Sequence, residues 1–410
     1  MKLRRIVVDR FRHVKPGTTV DFSAGVNVIV GRNGSGKTSL LEIASMLAAR
    51  DFSPLANEPF SFRFELGADD TIFSLNVRNE ELYGGSPESR RLLWSYEIEP
   101  AEKQWTLTAA SGKPTTYVGP SGTTDLPTFS PFQRCFWGES LVPVLKSDRT
   151  TTDVWAAGVG VEPTRFDEQL GAYTRLTGGR GFGSTSWGLE GAPVVYHGLV
   201  ADGMVVGLGE GLGGPSTGLL EALKQPLAPT LSIDDSKLPS LHAIRAALGF
   251  DAARLTLMQL ERRGRSGPFA ESVLLGKVSV LFTAGDRSFT DEILSFGQKR
   301  LMSFLFHVDS SENLVIADEL ANGLHYDWIR VCLDAIGDKQ ALLATQNPLL
   351  LDHLPITDAE SVRKALILCD EQGGELVWRN LTEEEAVDFV GAWEVGIQHV
   401  SEILRSKGLW

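Results

Sequence analysis

The chain has 410 residues, 42% hydrophobic and 22% charged, enough apolar material for one large domain or two lobes and too much for a disordered chain. Its net charge of −13 argues against a surface coated in phosphate-binding residues. Cys135, Cys332 and Cys369 lie far apart with no CxxC spacing, so neither a disulfide framework nor a zinc site is indicated, and a reducing cytoplasm fits.

The N-terminus holds only a short apolar run before Asp9, too short for a signal-peptide core. No stretch approaches the roughly 18 apolar residues of a membrane-spanning helix. Residues 1–15 carry Lys2, Arg4, Arg5, Arg10, Arg12 and Lys15 against Asp9, a local +5, while the segment from Thr357 onward has eleven acids against five bases. These read as solvated faces of opposite sign, with a nucleic-acid groove as the alternative.

Leu3 to Val8 and Thr18 to Phe22 read as strands, and Val26 to Val30 as a buried strand that feeds a glycine loop. From Lys37 to Arg50, Leu40, Ile43, Ala44 and Leu47 recur at the spacing of one helical face. Residues 60–120 alternate polar and apolar positions, as in Phe60 to Leu66 and Thr71 to Val77, which predicts an antiparallel sheet. Fourteen glycines fall between Gly178 and Gly218 without a three-residue period, the mark of irregular backbone in an insertion. Residues 239–263 return to helical periodicity, and Glu271 to Ala284 reads as a strand. Leu314 to Ala317, Ala341 to Ala344 and Ala365 to Leu368 alternate with helical runs, the pattern of a parallel sheet. Thr382 and Glu385 form a capping-box pattern ahead of one apolar stripe, Ala386, Phe389, Val390, Trp393, Ile397, Val400 and Leu404.

Three motifs carry chemistry. Gly31-Arg32-Asn33-Gly34-Ser35-Gly36-Lys37-Thr38 matches the phosphate-loop pattern between strand and helix. There glycines let backbone N–H groups converge on phosphates, Lys37 adds charge and the Thr38 hydroxyl ligates Mg2+; Ser39 follows in the helix. Leu314-Val-Ile-Ala-Asp318-Glu319 is an apolar strand ending in two acids, suited to placing Asp318 by a metal and Glu319 by an attacking water. Leu294-Ser295-Phe296-Gly297-Gln298 lies about twenty residues before those acids.

That third motif resembles the LSGGQ signature of ABC ATPases, with Phe296 in place of a glycine. In that family the signature binds the γ-phosphate of a nucleotide held by the opposite subunit, which implies that role for Ser295, Gly297 and Gln298. Ala321-Asn-Gly-Leu-His325 resembles the loop that follows the acids in RecF-like and OLD-like ATPases, and Leu342-Leu-Ala-Thr-Gln346-Asn-Pro-Leu-Leu-Leu-Asp352 resembles their switch segment, with Gln346 where histidine is usual. By the same resemblance Gln133 is the candidate for a glutamine that senses Mg2+ and the γ-phosphate, and Arg12 for a residue near adenine. The fold implied is α/β, a P-loop NTPase of the ABC ATPase head type, with a mixed sheet, an antiparallel β subdomain and a helical signature lobe. Its expected organisation is residues 1–135 for the first half of the head, 136–238 for the insertion, 239–370 for the signature lobe, acids and switch, and 371–410 for a capped C-terminal helix.

The resemblance implies an ATPase with ATP and Mg2+ as cofactors, Lys37, Glu319 and Gln346 as catalytic groups, and an ATP-dependent homodimer or higher oligomer. Between Thr38 and Leu294 lie 255 residues, more than transporter subunits of the family use, and no sustained heptads join the halves. Stand-alone heads of this layout resemble the RecF/SMC-like AAA ATPases of bacterial antiviral systems. That implies a sensor or scaffold for an effector protein, expected on a separate chain because 55 residues follow Pro355. The alternative is a RecF-like DNA-binding ATPase in repair, using the basic N-terminal strip or Arg262, Arg263 and Arg265.

Overall fold

The structure, a computed structural model, describes residues 2–49, 52, 55, 58–68, 71–82, 91–100, 106–110, 115–119, 122–126, 196–201, 204–209, 229–263, 271–310, 314–354, 357–394 and 402–404. Gln133 and Arg265 lie outside these residues, as do Ile397 and Val400 of the C-terminal stripe.

A central five-stranded sheet has the order β16 (Leu314–Asp318), β17 (Gln340–Thr345), β3 (Val26–Gly31), β18 (Leu366–Gln372), β19 (Glu375–Asn380). The first four strands run parallel, and β19 returns antiparallel through a hairpin at Gly373 and Gly374, both at positive φ. The parallel strands read as unbroken apolar runs because both their faces are covered. Alternate residues feed two cores. Ile29, Ile316, Leu342, Ala344 and Ile367 face one side, while Val28, Val30, Val315, Ala317, Leu343 and Leu368 face the other.

The first core is closed by helix α1 (Lys37–Ala49), through Leu40, Ile43, Ala44 and Leu47, and by an antiparallel sheet. That sheet has the order β2 (Thr18–Asp21), β1 (Lys2–Phe11), β4 (Phe60–Ala68), β5 (Thr71–Leu82), β6 (Arg91–Pro100), β7 (Thr106–Ala110), β8 (Thr115–Gly119), β9 (Gly122–Leu126). Phe60, Phe62 and Phe64 alternate inward along β4, and Phe62 meets Phe11 edge to face at 5.3 Å. Each fully buried aromatic of this kind contributes about 1.5–3 kcal/mol relative to exposure.

The second core is closed by α2 (Pro239–Leu248), α3 (Phe296–Ser310), α4 (Tyr326–Ile336), α5 (Ala359–Ala365) and α6 (Glu383–Glu394). Beside them stands a third sheet, β11 (Met204–Gly209), β10 (Tyr196–Ala201), β14 (Glu271–Ala284), β13 (Ala252–Arg263), β12 (Thr230–Asp234), with β15 (Arg287–Thr290) paired to β14. Strands β10 and β11 come from within the glycine-rich stretch, so part of that stretch joins the same sheet as residues 252–263 and 271–284.

Helical periodicity over 239–263 holds only to Leu248. Gly249 takes the left-handed conformation at φ 75 and donates to the carbonyls of Ala246 and Arg245, which ends the helix. Ala253 and Leu255 then turn inward at strand spacing. At the C-terminus the capping box forms: Thr382 N–H donates to Glu385 Oε2 at 2.7 Å, and Glu385 N–H to Thr382 Oγ1 at 3.2 Å. Ala386, Phe389 and Leu404 are buried, but Trp393 is 38% exposed, so the stripe is not buried along its whole length.

Candidate functional site

Because β16, β17 and β3 are parallel neighbours, their C-terminal ends emerge at one edge of the central sheet, the edge where such sheets bind ligands. Asp318 pairs in register with Ala344, and Thr345 with Val30. The strand order thereby brings the glycine loop after β3, the acids ending β16 and Gln346 after β17 together.

The loop is already curled. Gly34 and Gly36 adopt φ of 84 and 85, conformations that side chains rarely tolerate. Ser35 N–H donates to Arg32 O at 3.2 Å, and α1 begins with Leu40 N–H donating to Gly36 O at 3.0 Å. Lys37, 6% exposed, turns its ammonium back into the loop, donating to Gly31 O at 2.8 Å and Arg32 O at 3.0 Å. Arg32, Asn33 and Gly34 form the exposed rim, Ser39 is half-buried in α1, and the Ser35 side chain is buried, so Ser35 can meet a ligand only through its backbone.

Thr38 Oγ1 donates to Asp318 Oδ2 at 2.8 Å. A hydroxyl and a carboxylate side by side are hard oxygen donors that fit Mg2+, an ion commonly bound by one or two carboxylates together with substrate phosphates. Among the described residues no cluster of three or more His, Cys, Asp or Glu could hold a metal by itself.

Glu319 is held from several sides. Its backbone sits at φ 53, a left-handed conformation uncommon for glutamate and costing on the order of 1–3 kcal/mol. Its N–H donates to Ala344 O at 2.8 Å. Arg300, on α3 and 8% exposed, donates to the carbonyl oxygens of Glu319 and Leu320, and burial lowers its guanidinium below the usual arginine range. The Glu319 carboxylate accepts from Gln346 Nε2 at 2.8 Å, from Gln346 N–H at 3.3 Å and from Asn322 Nδ2 at 3.1 Å. A carboxylate so oriented, beside the Thr38–Asp318 pair, is suited to taking a proton from a water.

In the signature segment Ser295 and Gln298 bond each other instead of this cluster, although Arg300 of the same helix reaches it. Ser295 N–H donates to Gln298 Oε1 at 2.8 Å and Gln298 N–H to Ser295 Oγ at 3.4 Å, a cap that opens α3. Ser295 is exposed, and Phe296 is 70% exposed. Gly297 lies so close to the backbone of the acid loop that an added Cβ would meet Gly323 O at 2.5 Å. Helix α3 packs in the second core, whereas α1 packs in the first.

Arg12 also stands outside the cluster. Its guanidinium donates to both Glu58 oxygens at 2.9 and 3.1 Å, lies 3.6 Å from Glu42 of α1 and covers the Phe11 ring at 4.7 Å. Sequence reasoning did not single out Arg300, Asn322 or Trp378 as parts of the site. Asn322 at least sits inside the loop motif at 321–325, and Arg300 follows two residues after the signature. Trp378 lies on β19, far from any of them, and buries its indole under the glycine loop.

Residues 1–82 match the AAA ATPase domain family. The chain is similar to the DNA replication and repair protein RecF of Vibrio campbellii, 47% identical over 47 residues, which are 12% of this chain and 13% of that protein. It is likewise similar to the protein of the same name from Psychromonas ingrahamii, 50% identical over 42 residues, 10% of this chain and 11% of that protein. The chain thus spans well under two thirds of the curated relatives it matches. Among solved structures it is similar to the SMC head domain from Thermotoga maritima, at 12% identity and a TM-score of 0.37 over 93% of this chain and 100% of that one. A further similar structure is an SmcHead bound to the C-winged helix domain of ScpA, at 11% identity and a TM-score of 0.40 over 94% of this chain and 99% of that one.

Proposed function

We propose, from the premise that the family and RecF matches support a RecF/SMC-like, ABC-type AAA ATPase, that this chain is an ATP-binding and ATP-hydrolysing head that closes head to tail with a second copy. The observation that carries this reading is the meeting of Thr38 with Asp318 beside the Glu319–Gln346 pair. In this reading the loop amides and Lys37 bind the phosphates, Thr38 and Asp318 hold Mg2+, Glu319 takes a proton from the attacking water, and Gln346 keeps the carboxylate aimed. Mg2+, when bound, supplies charge that neutralises the phosphate oxygens. Dimer closure is supported by the packing of α1 and α3 on opposite faces of the central sheet and by the exposure of Ser295 and Phe296, which leave the signature available to a second copy.

Removing the base while keeping its shape should trap the closed state. Glu319→Gln is expected to shift from monomer to dimer mass in light scattering when Mg2+ and ATP are added. No ATP-dependent change of mass, in this variant or in wild type, would count against ATP-driven closure.

Within that reading, the coupled process is the control of a separate effector protein during anti-phage defence, with this head as sensor or scaffold. A second reading, a RecF-like ATPase acting on DNA, is favoured by the RecF matches. The N-terminal basic strip lends it less support, since Arg5 pairs with Asp21 and Glu65, Arg12 with Glu58, and Lys2 donates to the carbonyls of Ala24 and Asp338. ATPase activity stimulated by DNA and falling steeply with salt selects the DNA reading. Co-purification of a neighbouring gene product without DNA selects the effector reading.

A further inference from the structure

Gly31, Cys369 and Trp378 stand side by side across three strands, Gly31 of β3 paired with Cys369 of β18 and Cys369 with Trp378 of β19. From two strands away, the Trp378 indole reaches beneath the glycine loop. It is 1% exposed, and its Nε1–H donates to Ser35 O at 3.1 Å. An indole N–H is a donor only, and it needs a partner once buried. The fit above it is close: a Cβ on Gly36 would meet Trp378 Nε1 and Leu376 Cδ1, each at 2.9 Å. Strand β19 is itself anchored from the other side. Leu376 N–H donates to His13 O at 2.8 Å and Lys15 N–H to Leu376 O at 2.9 Å, which fixes the strand to the turn after β1.

We infer that Trp378 is a positioning residue for phosphate binding: by holding the Ser35 carbonyl down, it aims the Gly36 N–H into the phosphate cradle. The reason is the planarity of the peptide unit. In a trans peptide the C=O of one residue and the N–H of the next point in opposite directions, so fixing the Ser35 oxygen toward the indole fixes the Gly36 hydrogen away from it. With φ at 85, Gly36 is also, like Gly34, a residue whose backbone would otherwise have a wide choice of conformations. Trp378 therefore lowers the ordering cost of binding, since the cradle is set before the ligand arrives. The inference rests on the phosphate-loop reading of residues 31–38.

The test removes the donor while keeping the shape. Trp378→benzothienylalanine replaces the indole N–H with sulfur in a ring of similar outline, and Trp378→Phe is the genetically encoded companion. Dissociation constants for ATP and ADP are measured with Mg2+ by calorimetry, beside thermal midpoints without nucleotide. Wild type and Lys37→Ala serve as controls. The expected result is a thermal midpoint close to wild type for the isosteric variant, with ATP and ADP weakened by the same factor, roughly three- to tenfold, the worth of one hydrogen bond. Affinities within about twofold of wild type in the isosteric variant overturn the inference, and so does a lowered midpoint with unchanged affinity, which marks a structural role alone. Should Trp378→Phe fail to fold, the isosteric variant decides. Should wild type itself fail to bind ATP, or Lys37→Ala bind it equally well, the phosphate-loop reading falls and the inference with it.

Discussion

Gln346 and Glu319 meet at 2.8 Å, and an amide there behaves differently from an imidazole. It can donate to the carboxylate and aim it, but it cannot take up a proton and a positive charge as charge develops on the transferring phosphoryl group. The wild-type chain is accordingly expected to hold ATP longer than it hydrolyses it. Gln346→His should raise the turnover rate at saturating ATP by roughly tenfold and bring a pH dependence centred near about 6.5. An assay showing an equal or lower rate, with no inflection in that range, would remove Gln346 as the brake. This substitution was legible because the switch segment is contiguous. The left-handed backbone of Glu319 was not, because the groups that hold that backbone, the Arg300 guanidinium and the Ala344 carbonyl, come from two other parts of the chain.

Single elements were read well where one period governed them. The strands at 60–68 and 71–82 alternate, the helix at 37–49 repeats along one face, and the strand at 26–31 is an unbroken apolar run buried on both faces. The reading failed where a helix gives way to a strand within a few residues, as at Gly249, because apolar residues of either element can be fitted to a single helical stripe over a short window. At the start of α6, Glu385 accepts from Thr382 N–H and pairs with Arg379 through both oxygens at 2.7 and 2.8 Å. The Arg379 hydrogen bonds, more than the cap, hold the Glu385 carboxyl below the usual range, against the opposing effect of burial. A depressed folded pKa means that this stability is present above the unfolded value of 4.5 and is lost as pH falls through the folded one. With the Arg379 side chain 38% exposed, solvent screens the pair. Glu385→Gln, which keeps an oxygen to accept from Thr382 N–H, should therefore cost no more than about 1 kcal/mol near neutral pH, chiefly through the lost charge pairing with Arg379. The deficit in thermal midpoint should shrink toward zero in acid; a deficit constant across pH would assign it to packing instead.

For the whole molecule the question is what the exposed signature faces. Phe296 projects at the start of α3 with its ring against Gly323, whose added Cβ would meet Phe296 Cε1 at 2.9 Å. Both the signature and the loop after the acids thus contribute to one surface. Because the ring is 70% exposed, Phe296→Asp should leave the thermal midpoint and single-subunit ATP affinity unchanged. Introduced into Glu319→Gln, it should abolish the ATP-dependent dimer in light scattering, since an unpaired carboxylate would be buried at closure. A dimer that persists would move the contact away from the signature.

The amino-acid sequence by itself determined the phosphate loop, its strand-to-helix setting and the acid pair, because each is a contiguous stretch whose demands on glycine, lysine and acidic residues are local. Only the tertiary structure decided that Thr38 reaches Asp318, that Gln346 reaches Glu319 and that Trp378 lies beneath Gly36. Those meetings follow from the order of β16, β17, β3, β18 and β19 in one sheet, and strand order is set by how two cores are filled at once, which no local pattern records.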